Sequence, residues 1–188
     1  SSPRPAGASF DHLHKQLVGI DERGVTSELE LQKVRANPNL YNEMGVDYAA
    51  YQGLLVASNE HAVAFAGFGH RYPTLEVYST SATPEPWLMD REEVDAVSDL
   101  IHALHAATGA DVPSNEEWHH KPLDVDQPMP WHITLKWRVS TLAGFEGGTK
   151  IYLNTIDPWV LRDRVVGRLE DLRADRLVAP MAVGEECP

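Results

Sequence analysis

The sequence predicts an α+β domain built on an antiparallel sheet, and three features of the chain carry that prediction. Residues 61–68 and 74–79 are short apolar runs separated only by Gly69-His70-Arg71-Tyr72-Pro73, which reads as a strand pair joined by a turn. Residues 131–138 alternate: Trp131, Ile133, Leu135 and Trp137 form one face, and His132, Thr134, Lys136 and Arg138 the other. Helical patterns interrupt these strands, in the order strand–helix–helix–strand–strand–helix–strand–strand–helix.

Each element follows from local signals. Residues 8–20 read as a first strand. Gly24 breaks that pattern, and Thr26 caps a helix over 27–37 with Leu29, Leu31 and Val34 as its apolar positions. Asn37-Pro38-Asn39 ends it. A second helix is expected over 41–56, with Tyr48, Tyr51, Leu54 and Leu55 facing inward. Asp90 and Glu93 form a capping box that opens a long helix to Ala107. Its stripe is Val94, Val97, Ile101 and Leu104, and Gly109 stops it. Residues 110–130 read as a polar loop, and 149–154 as a short strand. Asp157-Pro158 starts the last helix, with proline in its first turn, and the helix runs to Arg176. The residues after Leu177 are expected to be loose. There is no internal repeat and no low-complexity tract.

The bulk properties narrow the function classes. The chain is about one domain long. Lys and Arg number 16 against 28 Asp and Glu, for a net charge of −12. Such a balance argues against a nucleic-acid groove or an anionic membrane as partner, but leaves room for a single nucleotide at a local site. The one cysteine, Cys187, excludes an internal disulfide framework. No apolar run reaches about 18 residues and no signal peptide is read, so the expected setting is the cytoplasm.

The stretch richest in chemistry is Gly7-Ala8-Ser9-Phe10-Asp11-His12-Leu13-His14-Lys15-Gln16. In a strand, His12, His14 and Gln16 project on one face. The preceding small-residue bend offers backbone N–H groups to an anion. Two imidazoles, an amide and an anion-binding bend form a chemical constellation rather than a packing one.

This string resembles the active-site segment of galactose-1-phosphate uridylyltransferase and its relatives in the histidine-triad superfamily, Gly-x-Ser-x-x-His-Pro-His-x-Gln. Gly7, Ser9, His12, His14 and Gln16 fall in register, and Leu13 stands where the family has proline. The run 143–148 resembles the family's Val-Gly-Tyr-Glu segment, and Asp157-Pro158 to Arg162 its final Pro-Glu helix segment. The resemblance implies a HIT-like fold in which an antiparallel sheet carries helices on one face. Residues 1–56 would be the remnant of a first unit, 57–177 a complete second unit and 178–188 a tail. In the family the motif lies near the middle of the polypeptide, so the resemblance also implies a C-terminal part and an upstream polypeptide that completes the fold.

The implied function is nucleotidyl transfer, with a nucleotide or nucleotide sugar as substrate. The resemblance assigns His14 as the nucleophile that forms a covalent nucleotidyl-histidine. It gives phosphate contacts to Gly7, Ser9 and Gln16, and sugar contacts to Phe145 and Glu146. His12 becomes a zinc ligand whose partners lie upstream. A homodimer is implied, in which the 143–148 segment reaches the neighbour's site. A second metal is not expected, because Thr134 and Lys136 stand where two histidine ligands belong and a lysine is itself a cation. Glu60 and His119 match its other two ligands, and Lys136 is expected to pair with Glu60. The alternatives are a hydrolase or phosphorylase of the same superfamily, or an inactive binding or scaffold domain.

Other residues are weighed separately. Arg71 with His70 reads as a phosphate contact or a solvated turn. Lys136 and Arg138 read as a phosphate screen or as a sheet face paired with acids. His119-His120 beside Trp118 and Lys121 reads as a pocket lining or a surface loop. His102 and His105 have a metal-ligand spacing with no third ligand indicated.

Overall fold

The structure, a computed structural model, describes residues 14–16, 18, 21–141 and 143–188. The strand expected over 8–20 therefore lies largely outside the described residues, and 14–16 have no regular secondary structure. The first helix, α1, is Val25–Ala36, with Gly24 rather than Thr26 at its N-cap.

The second helical stretch is shorter than 41–56. A π-helical turn at Asn42–Val46 runs into α2, Asp47–Tyr51. Gly53 then takes a left-handed φ of 66°, which glycine adopts without the usual penalty. That turn ends the helix and frees Leu55 to begin a strand.

The sheet has six strands: β1 (Leu55–Ser58), β2 (Ala62–Gly67), β3 (Thr74–Ser79), β4 (Ser114–His119), β5 (His132–Trp137) and β6 (Ala182–Val183). Their order is β4-β5-β3-β2-β1-β6, and every pairing is antiparallel. Helices α3 (Arg91–Thr108) and α5 (Pro158–Ala174) pack on one face. Their apolar stripes, including Val97, Leu100, Leu104, Leu161 and Leu169, meet Leu75, Val77, Ile133 and Leu135 in one continuous core. The capping box of α3 forms as expected, with the Glu93 carboxylate accepting from the Asp90 N–H at 3.0 Å. The α+β class and the antiparallel sheet are thus as the sequence predicts.

Three segments depart from expectation. The loop 110–130 contains β4, an edge strand on β5. Its Ser-Asn-Glu-Glu-Trp-His run lacks the β-branched residues that mark strands, so pairing rather than propensity makes it one. Residues 151–154 form no strand, and a short helix, α4, occupies Gly144–Thr149 instead. The stretch 178–188 is not a loose tail. β6 pairs with β1, Met181 and Val183 are buried, and Arg173 holds Glu186 while donating to the Met181 carbonyl at 3.1 Å.

The second face of the sheet is covered in part by the N-terminal helices. Tyr41 packs edge-on against Tyr78, with ring centroids 6.1 Å apart, and Gly45 lies flat against the same ring. This cover buries His132 and Thr134, which an alternating strand would otherwise turn to water.

Candidate functional site

Lys15 ties residues 14–16 to the sheet edge. Lys15 Nζ donates to Glu116 Oε1 at 2.6 Å and lies over the Trp118 ring at 5.5 Å. Glu116 is the organising group. Its other oxygen meets His105 Nε2 from α3 at 2.7 Å, and the Trp118 indole N–H donates to the same oxygen as Lys15. Burial alone would raise its carboxyl pKa. The hydrogen bonds from His105, Lys15 and Trp118 outweigh that and hold it at about 2. A helix, an edge strand and the motif segment thus share one carboxylate.

His14 sits half-buried beside this junction, and Gln16 is exposed. Gly7, Ser9 and His12 lie outside the described residues. Phe145 is exposed on α4, and the Glu146 carboxylate accepts from the Ala143 N–H at 3.1 Å. That bond caps α4 with one carboxylate oxygen.

Trp118 also walls a cleft of about 680 Å³, together with Glu30, Tyr41, His119, His120 and His132. His119 and His132 face each other across the β4–β5 pair with rings stacked at 4.8 Å and 6°. Burial lowers the pKa of both, and His132 further disfavours charge on His119. His119 falls to about 4, and both rings are neutral near pH 7. His132 turns one nitrogen to the Pro130 carbonyl at 3.1 Å. Lys121 stands apart from these histidines and pairs with Glu85 at 2.8 Å.

Deeper on the same face, His70 Nε2 meets Glu76 Oε1 at 2.7 Å. Burial would raise the Glu76 pKa, but this partner outweighs it and keeps the carboxylate ionised. Gly67 makes room for the pair: a Cβ there would lie 2.5 Å from the Glu76 oxygen and 2.8 Å from the His70 ring.

The residues in the second-metal positions do something else. Lys136 pairs with Glu117 at 2.6 Å and not with Glu60, because Glu117 faces the neighbouring strand position while Glu60 lies in the β1–β2 turn. Thr134 is buried between Glu76 and Glu117 in the strand register. Among the described residues no group of three or more His, Cys, Asp or Glu side chains is placed to hold a metal. No helix of the described residues is long and apolar enough to cross a membrane.

Sequence reasoning missed Glu116 and the His119–His132 stack. The signal was present in the alternation of Asn115, Glu117 and His119 against Glu116 and Trp118, but the helix-facing register of β4 was needed to read it.

Solved structures share this architecture. An ADP-glucose phosphorylase from Arabidopsis thaliana with bound ADP-glucose matches with a TM-score of 0.74 at 21% identity, over 87% of this chain and 56% of that one. A GalT-like protein from the same plant matches at 0.72 and 22%, over 87% and 57%. A uridylyltransferase matches at 0.70 and 22%, over 90% and 58%. The chain spans a little over half the length of these proteins. No functionally curated protein matches the sequence. At these identities the likeness establishes the fold alone, a fold shared with these three proteins. Residues 3–188 match a family described as a domain of unknown function, and the chain therefore belongs to the DUF4921 family.

Proposed function

We propose that this chain carries the nucleophile half of a nucleotidyl-transfer site, with His14 as the group that accepts the nucleotide. The observation that carries the proposal is the contact of Lys15, the residue after His14, with Glu116 of β4, in a fold shared with a uridylyltransferase and an ADP-glucose phosphorylase. In the proposed reaction an unprotonated His14 nitrogen attacks the α-phosphorus of a nucleotide sugar or dinucleotide. The phosphorus–oxygen bond to the leaving phosphate breaks, and that phosphate departs with the electron pair. An oxygen of a second phosphate then attacks the same phosphorus, and the phosphorus–nitrogen bond breaks to restore the imidazole. Fixed neutral donors suit this cycle, because Gln16, Ser9 and the Gly7 backbone would bind the nonbridging oxygens twice without trapping them. Zinc at His12, with ligands upstream, and a cytoplasmic homodimer in which Phe145 and Glu146 serve a neighbour's site belong to the same proposal.

A phosphorylase is the second reading, favoured by the ADP-glucose phosphorylase likeness. In it inorganic phosphate takes the nucleotide. The test for both is incubation with α-³²P-labelled nucleotides and nucleotide sugars. An acid-labile, base-stable protein label that is absent from His14→Asn supports the covalent route. Release of that label by a hexose 1-phosphate alone indicates a transferase, and release by inorganic phosphate a phosphorylase. No label with any nucleotide would leave the fold as a binding domain.

A further inference from the structure

The turn before β3 and the end of β5 bring two arginines to one tyrosine. Arg71 and Arg138 both stack on Tyr72, with guanidinium carbons 5.2 and 4.6 Å from its centroid. Arg71 also stacks on Tyr152, at 5.6 Å. Tyr72 is buried, so it fixes both cations rather than following them. Arg138 gives one N–H to Asn115 Oδ1 at 2.7 Å, while its Nε is buried with no partner. Among the described residues Arg71 and Arg138 hold no carboxylate, as is also true of Arg35, Arg164, Arg168 and Arg176, but these two alone of the arginines stack on a tyrosine. In a chain with 28 acidic residues, two guanidiniums that share the Tyr72 ring and hold no acid offer a place for a ligand's negative charge.

The surroundings narrow the ligand. Next to the turn that carries Arg71 lies a recess of about 370 Å³, with His70, Lys150, Tyr152, Asn154 and Asp157 in its polar wall and Phe68, Pro73 and Ile156 in its apolar wall. Asn154 donates to the His70 carbonyl at 2.8 Å, which ties this wall to the arginine turn. The recess is the size of a small polar organic group, and its hydrogen-bonding side chains suit hydroxyls. We propose that Arg71 and Arg138 bind a phosphate group, either free or as a monoester whose polar body enters the recess. Planar guanidiniums offer paired N–H donors that match phosphate oxygens, and stacking on tyrosine holds them flat and ready. The ligand's part in turnover, as the attacking or leaving phosphate, rests on the proposed nucleotidyl transfer. The binding does not, and it is measured without turnover.

The experiment is calorimetric titration of the full chain with inorganic phosphate and, separately, with glucose 1-phosphate. Saturable binding is expected, weakened about tenfold or more in Arg71→Gln and in Arg138→Gln. Arg71 lies on an exposed turn, so its variant reports without disturbing the core. Arg138→Lys keeps the charge and loses the paired donors, and it should recover only part of the affinity. Arg91→Gln, remote on α3, should bind as the parent does. Tighter binding of glucose 1-phosphate than of phosphate assigns the recess to a monoester body, and equal binding assigns the site to the phosphate alone. Absence of saturable binding, or equal loss in Arg91→Gln and Arg71→Gln, overturns the proposal. Phosphate binding with no ³²P label on His14 would leave this site standing while removing the covalent route.

Discussion

Lys15 and Glu116 are joined at 2.6 Å across 101 residues of sequence, and that contact sets residues 14–16 against the edge of the sheet. The ammonium is largely exposed and the carboxylate nearly buried, so the Lys15 end contributes modestly to stability. The larger consequence is positional, since His14 is the residue before Lys15.

Glu116→Gln should therefore lower the rate of labelling at His14 more than it changes nucleotide affinity. It should also cost about 1–3 kcal/mol of folding stability, because His105 and Trp118 lose a charged acceptor. The Glu116 pKa lies below its ordinary 4.5, so its stabilisation is present above that pH and is lost as pH falls toward 2. Acid unfolding monitored by circular dichroism should show that loss in the parent and not in Glu116→Gln. An unchanged labelling rate in a folded variant would remove Glu116 from the site.

His14→Gly and His14→Asn should abolish nucleotidyl labelling with folding intact, whereas His12→Asn should only weaken it or destabilise the protein. The two imidazoles have different duties in the proposal, nucleophile and metal support. Equal loss in both variants, with equal melting temperatures, would contradict that division.

The His119–His132 stack should make the protein acid-sensitive in a defined window. The His119 pKa is lowered from 6.5 to about 4, so the unfolded chain binds the proton more tightly than the folded one. The neutral stack is fully compatible with folding above about pH 6.5, and stability falls as pH drops through that value toward 4. His119→Asn should flatten this part of the curve, by no more than about 3 kcal/mol in total. Urea unfolding at a series of pH values measures it.

Gly67→Ala should destabilise the fold by about 1–3 kcal/mol although the change is one methyl group. The added carbon would meet the Glu76 oxygen and the His70 ring, and moving either leaves a buried charge without its partner. The double variant Gly67→Ala/Glu76→Gln should lose less than the sum of the two singles. Strict additivity would show that the methyl acts elsewhere.

Mixing a His14→Gly protein with a Glu146→Ala protein should restore part of the labelling and transfer if Phe145 and Glu146 serve a neighbouring subunit. In the single chain the Glu146 carboxylate is engaged by the Ala143 N–H, which leaves its second oxygen for a ligand. A monomer by light scattering, or no recovery on mixing, would assign this segment to capping α4.

The sequence by itself determined the fold class, the strand pair β2–β3, the apolar face of β5 and the two long helices. Each of these is written locally, in a period of two or of 3.6 and in a cap such as Asp90 with Glu93. The motif around His14 is visible in the sequence through its resemblance to a known family, and its chemistry here is the proposal above. Tertiary structure alone decided that Ser114–His119 is a strand, since its residues prefer no strand and only pairing to β5 satisfies its backbone. It alone decided that Met181 and Val183 are core, through a two-residue strand too short to announce itself. The carboxylate of Glu116, the stacked pair His119 and His132, and the two arginines on Tyr72 are each assembled from segments far apart in the chain. Their chemistry comes from burial and proximity, and a linear pattern records neither.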